Sequence, residues 1–261
     1  MSFLTTPDGV QLHYTIEGHG PSLVLHLGAG CDSELWRAAG YLEALTKTYR
    51  CILFDHRGHG RSDRPRGPEA NHIDRYVADV VALLDHLRLA RSAFWGYSAG
   101  VAVGLKVAQE HPTRIVALVG SGGIGNDTPE AIVRFAAQRV PELRDYGWEK
   151  LIGRFKEQEP AGVPEWMQER IRATDIGQFI DWVLAMPEWK WSLWDGLPHV
   201  VSPTLFLVGE LEDPEDETAI GAALMPSGTR LRVAGHGHIN AFIKSPLVLP
   251  RATAFLATHA V

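Results

Sequence analysis

Cysteine is nearly missing from this chain: Cys31 and Cys51 are the only two among 261 residues. Two isolated thiols make no disulfide framework, so a reducing compartment, the cytoplasm, is expected. Long apolar runs are missing as well, and none approaches the length of a membrane span. The opening residues, Met1 to Gly9, lack a cationic stretch followed by an apolar core, so no secretory leader is expected. No extended basic cluster occurs, and the net charge is -6. Nucleic acid and anionic membrane surfaces are therefore poor partners. Internal repeats and low-complexity tracts are also absent. What is present is an ordinary soluble composition, 45% hydrophobic and 21% charged, in a chain long enough for one α/β domain with an insertion.

The most informative stretch is Gly96-Tyr97-Ser98-Ala99-Gly100. An apolar run, Ser92 to Trp95, leads into it, and a helical pattern, Val101 to Ala108, leaves it. Gly-x-Ser-x-Gly between a strand and a helix is the setting of a nucleophile elbow, which exposes a serine Oγ at a sheet edge. The following helix aims its positive end at the same spot. An incidental serine in a glycine turn is the blander reading; the flanking elements and downstream partners weigh against it.

Around this centre the chain alternates strand and helix. Asp8-Gly9 reads as a hairpin turn between Phe3-Leu4-Thr5 and Val10 to Ile16. Ser22 to Leu27 and Arg50 to Phe54 are continuous apolar runs, as buried parallel strands require. Asp32 to Leu45 is predicted as one helix, capped by Asp32 or Ser33. His72 to Leu89 carries a helical apolar stripe. Ile115 to Gly120 and Thr204 to Val208 are further strands, Asp216 to Leu224 a helix, and Thr229 to Val233 a last strand. Leu247 to Thr258 closes the chain as a helix. The alternation predicts an α/β fold: a mostly parallel sheet with helices on both faces.

Between Ile124 and Leu197 strand signals vanish, and this stretch holds Trp148, Trp166, Trp182, Trp189, Trp191 and Trp194. It reads as a helical cap (124–197) inserted in a core formed by 1–123 and 198–261. Its aromatics would line an apolar pocket, although many must simply glue the cap to the core.

Chemistry-bearing residues follow predicted strands, where open α/β sheets place ligands. Ser98 comes first, then Glu212 and Asp213, then His236 and His238. A serine hydroxyl needs an imidazole to take its proton, and the imidazole needs a carboxylate to orient it. Gly28-Ala29-Gly30, after a central strand, suits a loop whose Ala29 amide joins that of Ala99 in receiving an oxyanion. In Asp55-His56-Arg57-Gly58-His59-Gly60-Arg61-Ser62-Asp63, Asp55 and Arg57 read as braces for the loop rather than as reacting groups. Cys31 reads as a small structural residue.

Taken together, these residues resemble the α/β-hydrolase fold superfamily, in its esterase and lactonase branch. The resemblance spans nearly the whole chain. It rests on the Gly28-Ala29 loop, the Asp55-x-Arg57-Gly58-x-Gly60-x-Ser62-Asp63 run, the Ser98 elbow, Gly209-Glu210 and Gly235-x-Gly237-His238. It implies a cofactor-independent serine hydrolase, without metal, acting on a small apolar ester or lactone. Ser98 would be the nucleophile and His238 the base, with His236 a loop residue. The acid stays open: spacing from Gly209 favours Glu212, while the Asp-Pro pair favours Asp213, to which the reading leans. Glu210 and Asp216 are expected as surface charges. The chain departs from the family at Leu27, where a histidine is usual, so His26 should point elsewhere, and at Val101, where a glycine is usual. A carbon–carbon bond hydrolase, or a ligand-binding receptor on this fold, would use the same frame, and a homodimer stays open.

Overall fold

A computed structural model describes residues 2–124, 128–189 and 191–260. Eight strands form one sheet: β1 (Ser2–Thr5), β2 (Gln11–Glu17), β3 (Ser22–His26), β4 (Arg50–Phe54), β5 (Ser92–Tyr97), β6 (Ile115–Ser121), β7 (Thr204–Gly209) and β8 (Gly228–Val233). Their spatial order is β1-β2-β4-β3-β5-β6-β7-β8. The hairpin at Asp8-Gly9 pairs β1 and β2 antiparallel, and β2 runs antiparallel to β4. Every pairing from β4 to β8 is parallel. This is the mostly parallel sheet with helices on both faces that the alternation predicts.

Eleven α-helices occur among the described residues: α1 (Leu35–Ala38), α2 (Tyr41–Leu45), α3 (Ile73–His86), α4 (Ala99–Glu110), α5 (Pro129–Gln158), α6 (Glu165–Arg172), α7 (Ile176–Ala185), α8 (Leu193–Gly196), α9 (Glu217–Leu224), α10 (His238–Ile243) and α11 (Leu249–His259). The period of two along each strand divides the core between the sheet's faces. Leu23 and Leu25 pack with Trp36, Tyr41 and Leu256, from α1, α2 and α11. Val24 and Phe94 pack instead with Val80, Leu84 and Val103, from α3 and α4. Every residue of β5 is buried, so the strand that delivers Ser98 is held on both sides. Trp95 in β5 donates its indole N–H to Ser121 Oγ at 2.9 Å, which locks β5 to β6.

Between β6 and β7 the described chain is helical, α5 to α8; residues 125–127 and 190 of the expected cap lie outside the described residues. Helix α5 bends at Gly147, whose φ of 62° leaves the helical region. The predicted helix from Asp32 to Leu45 is in fact two. Gly40, at φ 81°, breaks it into α1 and α2, and neither Asp32 nor Ser33 caps it. Asp32 pairs instead with Arg170 of α6 at 2.5 Å. Helix α10 was not foreseen. It is too short for its apolar period to show against the glycine-rich run before it.

Candidate active site

Ser98 sits where β5 turns into α4, at φ 55° and ψ -123°. A side chain at positive φ is strained by about 1–3 kcal/mol and persists only where its surroundings fix it. Here β5 on one side and α4 on the other hold the turn. The fit around Ser98 is close. A Cβ at Gly28 would lie 2.5 Å from Ser98 Cβ, so only glycine lets the β3 loop pass. A Cβ at Gly122 would meet both His238 Cε1, at 2.7 Å, and the Ser98 amide, at 3.3 Å. Ser98 and His238 are thus brought to the same backbone point and line the same cavity. Val101, in place of the family's glycine, packs its methyl toward Gly120 of β6, where the missing side chain leaves room.

His238 opens α10. Its Nδ1 is 2.5 Å from Glu212 Oε2, while Glu212 Oε1 accepts the Gly209 amide at 2.7 Å. Both oxygens of Glu212 are therefore fixed, and Nδ1 carries the proton, which leaves Nε2 as the acceptor. Burial alone would depress the His238 pKa. The Glu212 charge and hydrogen bond, helped by the Glu159 charge, outweigh it and hold the imidazole above its ordinary value.

The preference for Asp213 is corrected by this geometry. Asp213 turns away and accepts the Glu217 and Thr218 amides at 2.8 and 3.0 Å, at the start of α9. An acid next to a helix start satisfies orphan N–H groups there, and that competing demand claims Asp213. Glu210 and Asp216, expected as surface charges, are partly exposed, with side chains 40% and 34% accessible, and both also hold local partners. Glu210 accepts the Gly235 amide at 2.9 Å, and Asp216 pairs with Arg230. His236 bonds the Ala234 carbonyl, away from Glu212.

Two further residues shape the site without having been singled out for it. Glu159, just past α5, is buried and accepts three amides: Gly237 at 3.1 Å, and Ile239 and Asn240 at 2.9 Å each. It grips the start of α10 and so fixes the His238 backbone. Nothing in the sequence marks it, since its partners lie about eighty residues away. His59 accepts the Gly30 amide on Nε2 at 2.8 Å and bonds the Arg57 carbonyl through Nδ1. It anchors the loop that carries Ala29. The sequence reading assigned bracing to Asp55 and Arg57, and both do brace. Asp55 accepts from the Ser33 and Arg61 amides and bonds His13. Arg57 forks onto Asp79 at 2.6 and 2.7 Å. His26, as expected, points elsewhere: it stacks on His56 behind the elbow.

Ala29 and Ala99 both line the cavity beside Ser98. Ala99 opens α4, so its amide has no partner within the helix and is available to an anion. The cavity holds about 340 Å³, at the low end for ligand sites. The inserted helices supply most of its wall, including Trp148, Phe155 and Phe179. Ser98 also borders a smaller hollow of about 180 Å³, with Trp182 and Met186 shared between the two. Burial raises the Cys31 thiol to about 12, so this cavity residue stays protonated. Among the described residues no cluster of His, Cys, Asp and Glu is arranged to hold a metal, and no helix is long and apolar enough to cross a membrane.

Comparison with known proteins places this geometry in context. The chain is 34% identical over 164 residues to the "Probable proline iminopeptidase" of Streptomyces coelicolor, which covers 54% of this chain and 50% of that protein. It is 34% identical over 111 residues to 3-oxoadipate enol-lactonase 2 of Acinetobacter baylyi, covering 42% and 40%. The chain thus spans about half the length or less of these curated relatives. The crystal structure of the enol-lactonase of Burkholderia xenovorans superposes with a TM-score of 0.77 at 25% identity, covering 98% of this chain and all of that one. These relatives are named as hydrolases. Residues 21–174 match the family described as the alpha/beta hydrolase fold, and the chain belongs to that family.

Proposed function

We propose that this protein is a cofactor-independent serine hydrolase that cleaves a small carboxylic ester or lactone through an acyl-enzyme on Ser98. The observation that carries the reading is the 2.5 Å contact between His238 Nδ1 and Glu212, on an imidazole sharing a cavity with the strained Ser98. With Nδ1 committed, Nε2 takes the serine proton as Oγ bonds to the carbonyl carbon. The carbonyl oxygen becomes negative and is received by the Ala29 and Ala99 amides. The carbon–oxygen bond to the alcohol breaks, and the alcohol oxygen takes the proton from Nε2. In a lactone that alcohol stays attached to the acyl group. Water, deprotonated by the same Nε2, then breaks the acyl–serine bond and restores Ser98 Oγ–H.

The inserted helices serve as a cap on this reading, holding bulk water back from the reacting carbonyl while admitting the one water that Nε2 activates to release the acyl group. The enol-lactonase relatives support an ester or lactone carbonyl as the group attacked. The test is labelling with a fluorophosphonate, followed by turnover of aryl esters and lactones. Wild type should be labelled and Ser98→Ala should not. A folded wild type that resists the probe and hydrolyses no ester above the buffer rate would refute the reading.

A further inference from the structure

We infer that the cavity takes a substrate with a carboxylate at the end away from the scissile carbonyl, received by Arg139. This deepens the reading of Ser98 as an acyl-transfer nucleophile and rests on it. Arg139 lies on α5 and lines the cavity, where among the described residues it is the one guanidinium or ammonium group. Its side chain is only 14% exposed, and its Nε is buried without a hydrogen-bond partner. The guanidinium packs 5.2 Å from the Phe135 ring, itself part of the cavity wall.

The charge is poorly balanced. Glu142 Oε2 accepts from one terminal nitrogen of Arg139 at 3.1 Å, but the other oxygen of Glu142 is taken by Arg154. Two guanidinium groups thus share one carboxylate. Arg139 has five N–H donors, so most are left for another acceptor. Sequestering an under-paired cation against aromatic walls is costly unless something repays it. An entering carboxylate does so through parallel charge-assisted hydrogen bonds on the guanidinium fork. A doubly charged phosphate fits less well, because one shared cation cannot offset the loss of its hydration in so apolar a cavity. The anion is not the reaction's oxyanion, since that group faces amides on the sheet side, while Arg139 projects from the inserted helices. The preferred substrates are therefore half-esters of dicarboxylic acids, or lactones with a pendant carboxylate.

The experiment pairs p-nitrophenyl monoesters of glutaric, adipic and pimelic acid with neutral isosteres in which isopropyl replaces the free carboxylate. All rates are corrected for uncatalysed hydrolysis. Wild type should prefer at least one charged ester by about tenfold in kcat/KM, mostly through KM, because a remote contact binds ground and transition states alike. Arg139→Gln should bring that ratio to about one, and Arg139→Lys should restore part of it, a point charge lacking the fork. Fluorophosphonate labelling and circular dichroism show that each variant is folded. A wild-type ratio near one with Ser98 labelled overturns the inference and leaves the hydrolase reading standing, as does a ratio that Arg139→Gln leaves unchanged. If Ser98 is not labelled, the hydrolase reading fails, and calorimetry with glutarate, adipate and pimelate still decides. Binding to Ser98→Ala that is lost on adding Arg139→Gln supports the anion site, and binding that is absent or indifferent to Arg139 overturns it.

Discussion

Glu212 and Asp213 are neighbours in the chain and face different tasks: Glu212 reaches His238, while Asp213 caps α9. Their variants should separate cleanly. Glu212→Gln removes the charge that holds the proton on Nδ1, and kcat should fall by about 10³–10⁴-fold. Asp213→Ala should keep most of the rate while losing about 1–2 kcal/mol of stability as the α9 amides lose their acceptor. Ester kinetics together with urea unfolding of the two variants check this. Equal rate losses would count against the assignment.

The pH profile tests the same pair. In the proposed mechanism His238 must be neutral to accept the serine proton. Its pKa is held above the ordinary value of 6.5, chiefly because the Glu212 charge and hydrogen bond overcome burial. The acid limb of kcat/KM should therefore have its midpoint above 6.5, with activity rising as pH rises through it. In Glu212→Gln the raising influence is gone, and the midpoint of the residual activity should move to lower pH.

Glu159 is a positioning residue, and its charge also helps raise the His238 pKa. Glu159→Gln keeps an oxygen acceptor but loses the charge, so the acid limb should shift down while the protein stays folded. Glu159→Ala leaves three buried amides bare, and each unsatisfied group costs about 1–3 kcal/mol. A drop in kcat with little change in KM would show that the imidazole, not substrate binding, is disturbed. A purely structural role would leave the pH limb where it is.

His26 and His59 give a separate acid sensitivity. Burial lowers both to about 4. In the unfolded chain each titrates near 6.5, so below that pH the unfolded state binds more protons. Stability is fully present above about 6.5 and is lost as pH falls toward 4, by about 3 kcal/mol for each group. Unfolding free energies between pH 7 and 4 measure this, and His26→Gln should flatten the slope. His59→Ala should also lower kcat, because Gly30 loses the acceptor that steadies the Ala29 loop.

The positions of the strands along the chain and of the turn at Ser98 were legible because each rests on local pattern, whereas the order of the strands in the sheet does not. Continuous apolar runs such as Ser92 to Trp95 announce buried strands, and Gly-x-Ser-x-Gly announces a turn that few other residues tolerate. The acid was legible only to within one position. Glu212 and Asp213 follow the same strand, and their choice depends on α9 offering amides that no short window shows. Gly40 breaks its helix for a reason outside that window too, since α1 and α2 each pack on the core separately. Glu159 was wholly hidden. Its role comes from a contact across the fold, between a segment that carries no motif and the start of α10.

That contact also bears on how reactants come and go. If the inserted helices swung out as a hinged door, Glu159 would drag on the backbone beside the base or let it go. On the proposed reading, Glu159 ties doorway and base together, so traffic through the cavity is expected to rely on side chains yielding at its rim. A crosslink pinning α5 to the sheet should slow turnover far less than it would in an enzyme that gapes, and a small reactant should pass where a bulky one stalls.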